Sequence, residues 1–93
     1  MRMIEYTTRF KRDYKREKKG PHAADLDSVL RQLLPALVED AAVPQRYRDH
    51  LLSGDWNGCR ECHLKPDLLL IYQKPEPDLL VLVRLGSHSE LFG

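Results

Sequence analysis

The sequence predicts an α+β fold in which two N-terminal helices pack on a small, mainly antiparallel sheet, in the order β-α-α-β-β-β. Two observations carry this. Leu26, Val29, Leu30, Leu33, Leu34, Leu37 and Val38 recur at the i, i+3, i+4, i+7 spacing of an amphipathic helix. Further on, the apolar runs Leu68–Tyr72 and Leu79–Val83 are bounded by the Pro-rich turns "KPD" and "KPEPD", the pattern of adjacent antiparallel strands. A chain of 93 residues, 42% hydrophobic and 31% charged, suits one globular domain over residues 1–93 and lacks the low hydrophobicity of a disordered segment.

Met3–Tyr6 is partly apolar and fits an opening strand. Thr7 or Thr8 caps a helix running to about Lys19, with Phe10 and Tyr14 one turn apart on its buried side and Gly20 and Pro21 as stop signals. Burying the apolar face of the second helix is worth on the order of ten to twenty kcal/mol gross, much of it cancelled by lost entropy, so that helix must lie on something. Pro35 conflicts with it locally, because it removes a helical hydrogen bond and should kink or restart the helix. From Ala41 to Asn57 the periodicity stops and Pro44 and Gly54 indicate a long loop; after Gly58, Cys59–Leu64 reads as the first strand of a three-stranded meander.

The formal net charge of +1 conceals an asymmetry. Residues 1–19 hold eight Lys or Arg against three Asp or Glu, which makes this end +5 and the remainder −4. Lys11, Arg12, Lys15 and Arg16 form a cationic stripe suited to a polyanion such as RNA, although a solvated helix face has the same composition. No export signal and no apolar run of roughly 20 residues is visible, so no membrane partner is expected. Two cysteines two residues apart make no disulfide framework, so the expected compartment is the reducing cytoplasm.

Cys59–His63 reads C-x-x-C-H, the spacing of c-type haem attachment. In a strand, however, Cys59, Glu61 and His63 point one way while Arg60, Cys62 and Leu64 point the other. The sulfurs then lie on opposite faces, which suits neither haem nor tetrahedral zinc, and no second Cys pair completes a four-ligand site. Cys62 reads instead as a small core residue beside Leu64, and His63 turns toward the other face.

Strand directions suggest where polar residues converge. His63 lies near the end of one strand, Asp67 begins the next across a tight turn, and Arg84 ends the third, whose antiparallel course returns it beside Asp67. Gly86, Ser87 and His88 follow at once, so His88 can fold into the same region. Cleavage of an RNA phosphodiester by its own ribose 2′-hydroxyl needs a base, an acid and a cation at the phosphate. Histidine, with an ordinary pKa near ~6.5, supplies either proton role, Arg forks to two phosphate oxygens, and no metal or other cofactor is required.

The stretch "DHLLSGDWNGCRECHLKPDLLLIY", Asp49–Tyr72, and the ending "RLGSHSELFG", Arg84–Gly93, closely resemble the YafQ-type branch of the RelE/ParE superfamily of bacterial type II toxins. The resemblance implies a RelE-like fold and a ribosome-dependent mRNA interferase that cuts the message in the ribosomal A site and is held inactive by a cognate antitoxin. It implies that His50, His63, Asp67 and His88 share the acid/base work, that Arg84 stabilises the phosphate, and that Phe92 stacks on or positions a base. His50 and Phe92 enter through this resemblance alone. Trp56 and Gly58 match the pattern and read as packing and turn residues. Leu68 departs from it, since the family often has Trp there, and the cysteine pair is not part of it. His22 lies outside the pattern and reads as a surface residue. A second possibility on the same scaffold is a binding toxin without nuclease chemistry, like the ParE branch, which should lack a clustered His/Asp/Arg set.

Overall fold

A computed structural model describes residues 1–93. The chain forms β1 (Met3–Tyr6), α1 (Thr8–Glu17), α2 (Leu26–Val38), β2 (His50–Leu51), β3 (Arg60–Lys65), β4 (Leu68–Gln73), β5 (Leu79–Gly86) and α3 (His88–Phe92), with 3-10 turns at Gln45–Tyr47 and Gly54–Trp56. The sheet has five strands in the order β1-β5-β4-β3-β2. β1 runs parallel to β5 and every other pairing is antiparallel.

Thr7 is the cap: its hydroxyl oxygen accepts from the Phe10 amide at 2.9 Å and donates to the Val83 carbonyl at 2.7 Å, joining the start of α1 to β5. Beyond the end of β1, α1 itself lines the edge of β5. Asp13 on α1 accepts from the Leu85 amide at 3.0 Å and Arg16 donates to the Leu85 carbonyl at 2.8 Å, so two side chains replace a missing partner strand.

Three expectations need correction. α2 runs unbroken through Pro35. Pro35 and Arg31, whose carbonyl loses its helical donor, are both exposed, so the helix can continue without burying the proline ring. The expected loop Ala41–Asn57 contains the two-residue strand β2, and the C-terminal residues form α3. Both elements are too short to show a hydrophobic period.

The sheet is covered on both faces. Phe10, Leu26, Leu30, Leu33 and Leu37 from the helices pack with Cys62, Leu68, Leu70, Tyr72, Leu80 and Leu82. On the opposite face Cys59, Leu69, Ile71 and Leu91 form a smaller cluster, with Leu52, Trp56 and Val83 packed on it. β4 is therefore enclosed on both sides, and Leu68–Tyr72 are all buried. Such burial accounts for a run without polar alternation. The smaller cluster forms the floor on which α3 and the Trp56 turn carry side chains toward β3.

Candidate active site

Alternation along β3 places Glu61 and His63 on the face of α3 and the Trp56 turn, and Cys62 on the helix face, as the sequence predicts. β2 then brings His50 opposite Glu61 in register. Its approach is set by three consecutive residues. Tyr47 is buried in the main core, Arg48 turns the chain in the left-handed region at φ 49°, and the Asp49 carboxylate is tied down by Arg60, Tyr72 and Cys62. Arg60 contributes Nε at 3.2 Å and Nη2 at 3.0 Å to the same carboxylate oxygen, and the Tyr72 hydroxyl donates to the other. Burial alone would raise the Asp49 pKa, but these donors hold the carboxyl below its ordinary range. Burial and the Asp49 charge push the Cys62 thiol up to about 12.

His50, His63, His88 and Phe92 form a continuous row. Ring centroids are 6.1 Å apart for His50 and His63, 5.9 Å for His63 and His88, and 5.9 Å for His88 and Phe92. Trp56 closes the row edge-on against Phe92 at 5.8 Å. His88 owes its place to a capping box at the start of α3, in which the Ser87 hydroxyl accepts from the Glu90 amide and the Glu90 carboxylate accepts from the Ser87 amide.

Glu61 lies between two of the imidazoles. Its Oε1 is 3.2 Å from His63 Nε2 and 3.5 Å from His50 Nε2, and the residue is only 3% exposed. On its far side, His50 Nδ1 sits 2.7 Å from the Arg48 carbonyl, which fixes the ring with Nε2 turned to Glu61. Sequence reasoning placed Glu61 on the face of His63 without giving it a role; the signal was the alternation itself. One ligand atom from each of His50, Glu61 and His63 lies within 4.8 Å of the others, so the trio could hold a divalent ion, and two imidazoles with a carboxylate suit copper or zinc.

Neither of the other expected residues, Asp67 and Arg84, makes a hydrogen bond or ion pair with this row. Asp67 is exposed in the turn between β3 and β4, at the end of the sheet where the ladder row His63, Leu69, Gly86 lies. Arg84 pairs across the ladder with Ile71, itself opposite Glu61, but its guanidinium is turned to Asp13, with Nε at 2.6 Å and Nη2 at 3.1 Å. Asp67 thus lies at the expected end of the sheet, whereas the Arg84 guanidinium is held beneath α1 by an ion pair. A buried carboxylate one turn before Arg16 is the reason, since it captures the cation first. The α1 stripe divides as well: Arg16 is engaged by Asp13, Glu17 and Glu90, whereas Lys11 and Lys15 border an apolar groove between α1 and α2 and Arg12 is exposed.

Comparison with known proteins identifies the family. Residues 2–93 match the family model described as a bacterial toxin of type II toxin–antitoxin systems, YafQ. The chain belongs to the YafQ family of type II toxins. It is 37% identical over 93 residues to the mRNA interferase toxin YafQ of Escherichia coli K12, covering 99% of this chain and 97% of that one. The YafQ chain of the E. coli DinJ–YafQ complex superposes with a TM-score of 0.85 at 35% identity, covering 100% of both chains. A copper-bound mutant toxin from Helicobacter pylori superposes with a TM-score of 0.89 at 37% identity, covering 99% of this chain and 100% of that one. The fold is that of YafQ toxins, and the RelE-like order of elements agrees with it.

Proposed function

We propose that this toxin is a ribosome-dependent endoribonuclease that cuts messenger RNA in the A site by 2′-hydroxyl attack, is restrained by a cognate antitoxin and acts in the cytoplasm. The observation that carries the reading is the row of three imidazoles, His50, His63 and His88, with the Glu61 carboxylate between two of them and Phe92 at the open end. A binding toxin without chemistry has no use for three titratable rings spaced this way.

In the proposed reaction the ribose 2′-oxygen attacks phosphorus, its proton passes to one imidazole, and the bond from phosphorus to the 5′-oxygen breaks as a second imidazole protonates the leaving oxygen. The products are a 2′,3′-cyclic phosphate and a 5′-hydroxyl. Two or three rings about 6 Å apart span the attacking and leaving oxygens of an in-line displacement. Glu61 orients His50 and His63 and stabilises whichever becomes imidazolium. Asp67, at the rim, shares the proton traffic. Arg84 keeps Nη1 free of Asp13, so it can donate to a phosphate oxygen from a fixed position. Phe92, 42% exposed, presents a ring for a base to stack on. A divalent ion held by His50, Glu61 and His63 would supply Lewis acidity; proton transfer by the side chains alone requires none. Lys11, Arg12 and Lys15 contact ribosomal RNA by charge.

The supporting features are the family, the relative named an mRNA interferase and the relative solved with DinJ. The free state of both cysteines fits a reducing compartment, and no helix is long and apolar enough to cross a membrane. Ribosomes programmed with a defined message provide the test. Cutting should persist in EDTA, leave a cyclic or 3′-phosphate, and stop when the ribose at the cut is 2′-deoxy. Alanine at His50, His63 or His88 should slow it by about 10²- to 10⁴-fold. Continued cutting of the deoxy message would refute the mechanism.

A further inference from the structure

Beside the histidine row, on the open edge of β3, lies a cleft of about 310 Å³ walled by Arg46, Arg48, His63 and Lys65 over Tyr47 and Leu64. β2 covers β3 only at Arg60 and Glu61, so the edge at His63–Lys65 has no partner strand, and the 3-10 turn Gln45–Tyr47 forms the far wall. At ~30 Å³ per water the space equals roughly ten waters, enough for one sugar and its phosphate.

Two of the three Lys or Arg side chains in this cleft, Arg46 and Arg48, meet no carboxylate. Arg46 is ordered by stacking, its guanidinium carbon 4.7 Å from the centre of the Tyr47 ring and its Nη2 donating to the Tyr47 hydroxyl at 3.1 Å, but no carboxylate meets it. Arg48 is exposed at the left-handed turn that aims His50. Lys65 has one counter-ion, Asp25 at the start of α2, half exposed at the rim. Asp25 makes no capping hydrogen bond to its own helix, which leaves its carboxylate to Lys65 as its one ion-pair partner. His63 lines this cleft and also stands in the histidine row, so the two sites share one residue.

We infer that this cleft is a second phosphate subsite of the ribonuclease, in which Arg46, Arg48 and Lys65 hold the RNA phosphodiester next to the one being cut. The assignment rests on the nuclease reading of the neighbouring histidines and adds what that reading lacks. Arg84 spends two of its donor positions on Asp13 and keeps only Nη1 for the phosphate being cut, so the cations left for a neighbouring phosphate beside His63 come from the turn before His50 and the end of β3. Asp25 occupies Lys65 in the absence of RNA and gives way to a doubly anchored phosphate, because arginine forks make stronger bonds to phosphate than a lone exposed ion pair. Holding the neighbouring phosphate would also set the register of the message, since it fixes which ribose reaches the imidazoles.

The test measures toxin binding to ribosomes programmed with a message made uncleavable by a single 2′-deoxyribose at the cut. Arg46→Ala, Arg48→Ala and Lys65→Ala should each weaken binding roughly three- to tenfold at low salt, and each should lower the slope of log K against log salt by ~0.7. Asp25→Asn should tighten it by about two- to fivefold by releasing Lys65. A second message carries one neutral methylphosphonate beside the cut, placed on either side in turn; at one of these positions the alanine variants should lose nothing further. Unchanged binding of the variants overturns the subsite. So does an equal loss on the charged and neutral messages, which would direct these cations to ribosomal RNA instead. Failure of the parent protein to cut an all-ribose message would count against the nuclease reading, and is read separately.

Discussion

Replacing Asp13 with alanine tests whether the sheet edge beneath α1 is held by one carboxylate. Four donors converge on Asp13: Arg84 Nε and Nη2, Arg16 Nη1 at 2.9 Å and the Leu85 amide. The carboxylate is 4% exposed and the Arg84 side chain 12%, so both charges lie out of water. Deleting one member of a buried pair costs about 3–5 kcal/mol, because the remaining charge keeps its desolvation and loses its partner. Arg16, at 40% exposure, retains Glu90 and water, and the stranded Leu85 amide overlaps with the same loss. The expected destabilisation is therefore about 4 kcal/mol, against a total of ~5–14 kcal/mol for a chain of this length. With a urea dependence of about 2 kcal/mol per molar, the midpoint of unfolding followed by circular dichroism should fall by roughly 2 M. The double variant Asp13→Ala with Arg84→Met should recover most of that loss, since no unpaired charge remains. Burial by itself would raise the Asp13 pKa, but Arg84, the Leu85 amide and Arg16 hold it below its ordinary 3.8. A folded-state pKa depressed in this way stabilises fully above the unfolded value and loses its contribution as pH falls below about 4 through the folded value. The parent should accordingly lose more stability than Asp13→Ala across that window. A single-variant loss under ~1 kcal/mol, or no recovery in the double variant, would refute this account of the edge.

Other outcomes follow from the same geometry. Glu61→Gln should keep the fold yet slow cleavage by about 10- to 100-fold, because a neutral amide can still bond one ring nitrogen but cannot stabilise an imidazolium; unchanged rates would remove Glu61 from the site. Tyr72→Phe should cost about 1–2 kcal/mol in denaturant unfolding by taking one donor from Asp49, with cleavage lowered in parallel if Asp49 holds the His50 turn in place. Cys62, with its thiol pushed up to about 12, should resist an aromatic disulfide reagent at pH 8 in the folded protein and react only on unfolding; rapid labelling in the native state would contradict its burial.

Periodicity and turn chemistry made α2, β4 and β5 legible, because each is long enough for a repeat to stand out and each is bounded by Pro or Gly. Period-two alternation likewise separated Cys62 from His63 and so disposed of haem attachment, an inference that needs only the strand and not its neighbours. β2 escaped detection because two residues carry no period; its existence depends on Asp49 being fastened to Arg60 and Tyr72 across the sheet. α3 escaped because five residues form a helix only once Leu91 finds Leu69 and Ile71 beneath it.

The amino-acid order by itself determined which face each β3 residue takes, where the strands turn, and that His63 and His88 come near one margin of the sheet. Only tertiary structure decided which charges are free. Arg84 and Arg16 look alike in sequence to Arg46 and Arg48, yet Asp13 sits in the core beside the first pair and no carboxylate reaches the second. Electrostatic pairing depends on distances of a few ångströms between residues far apart along the chain, and burial sets its strength, so neither can be read from local sequence.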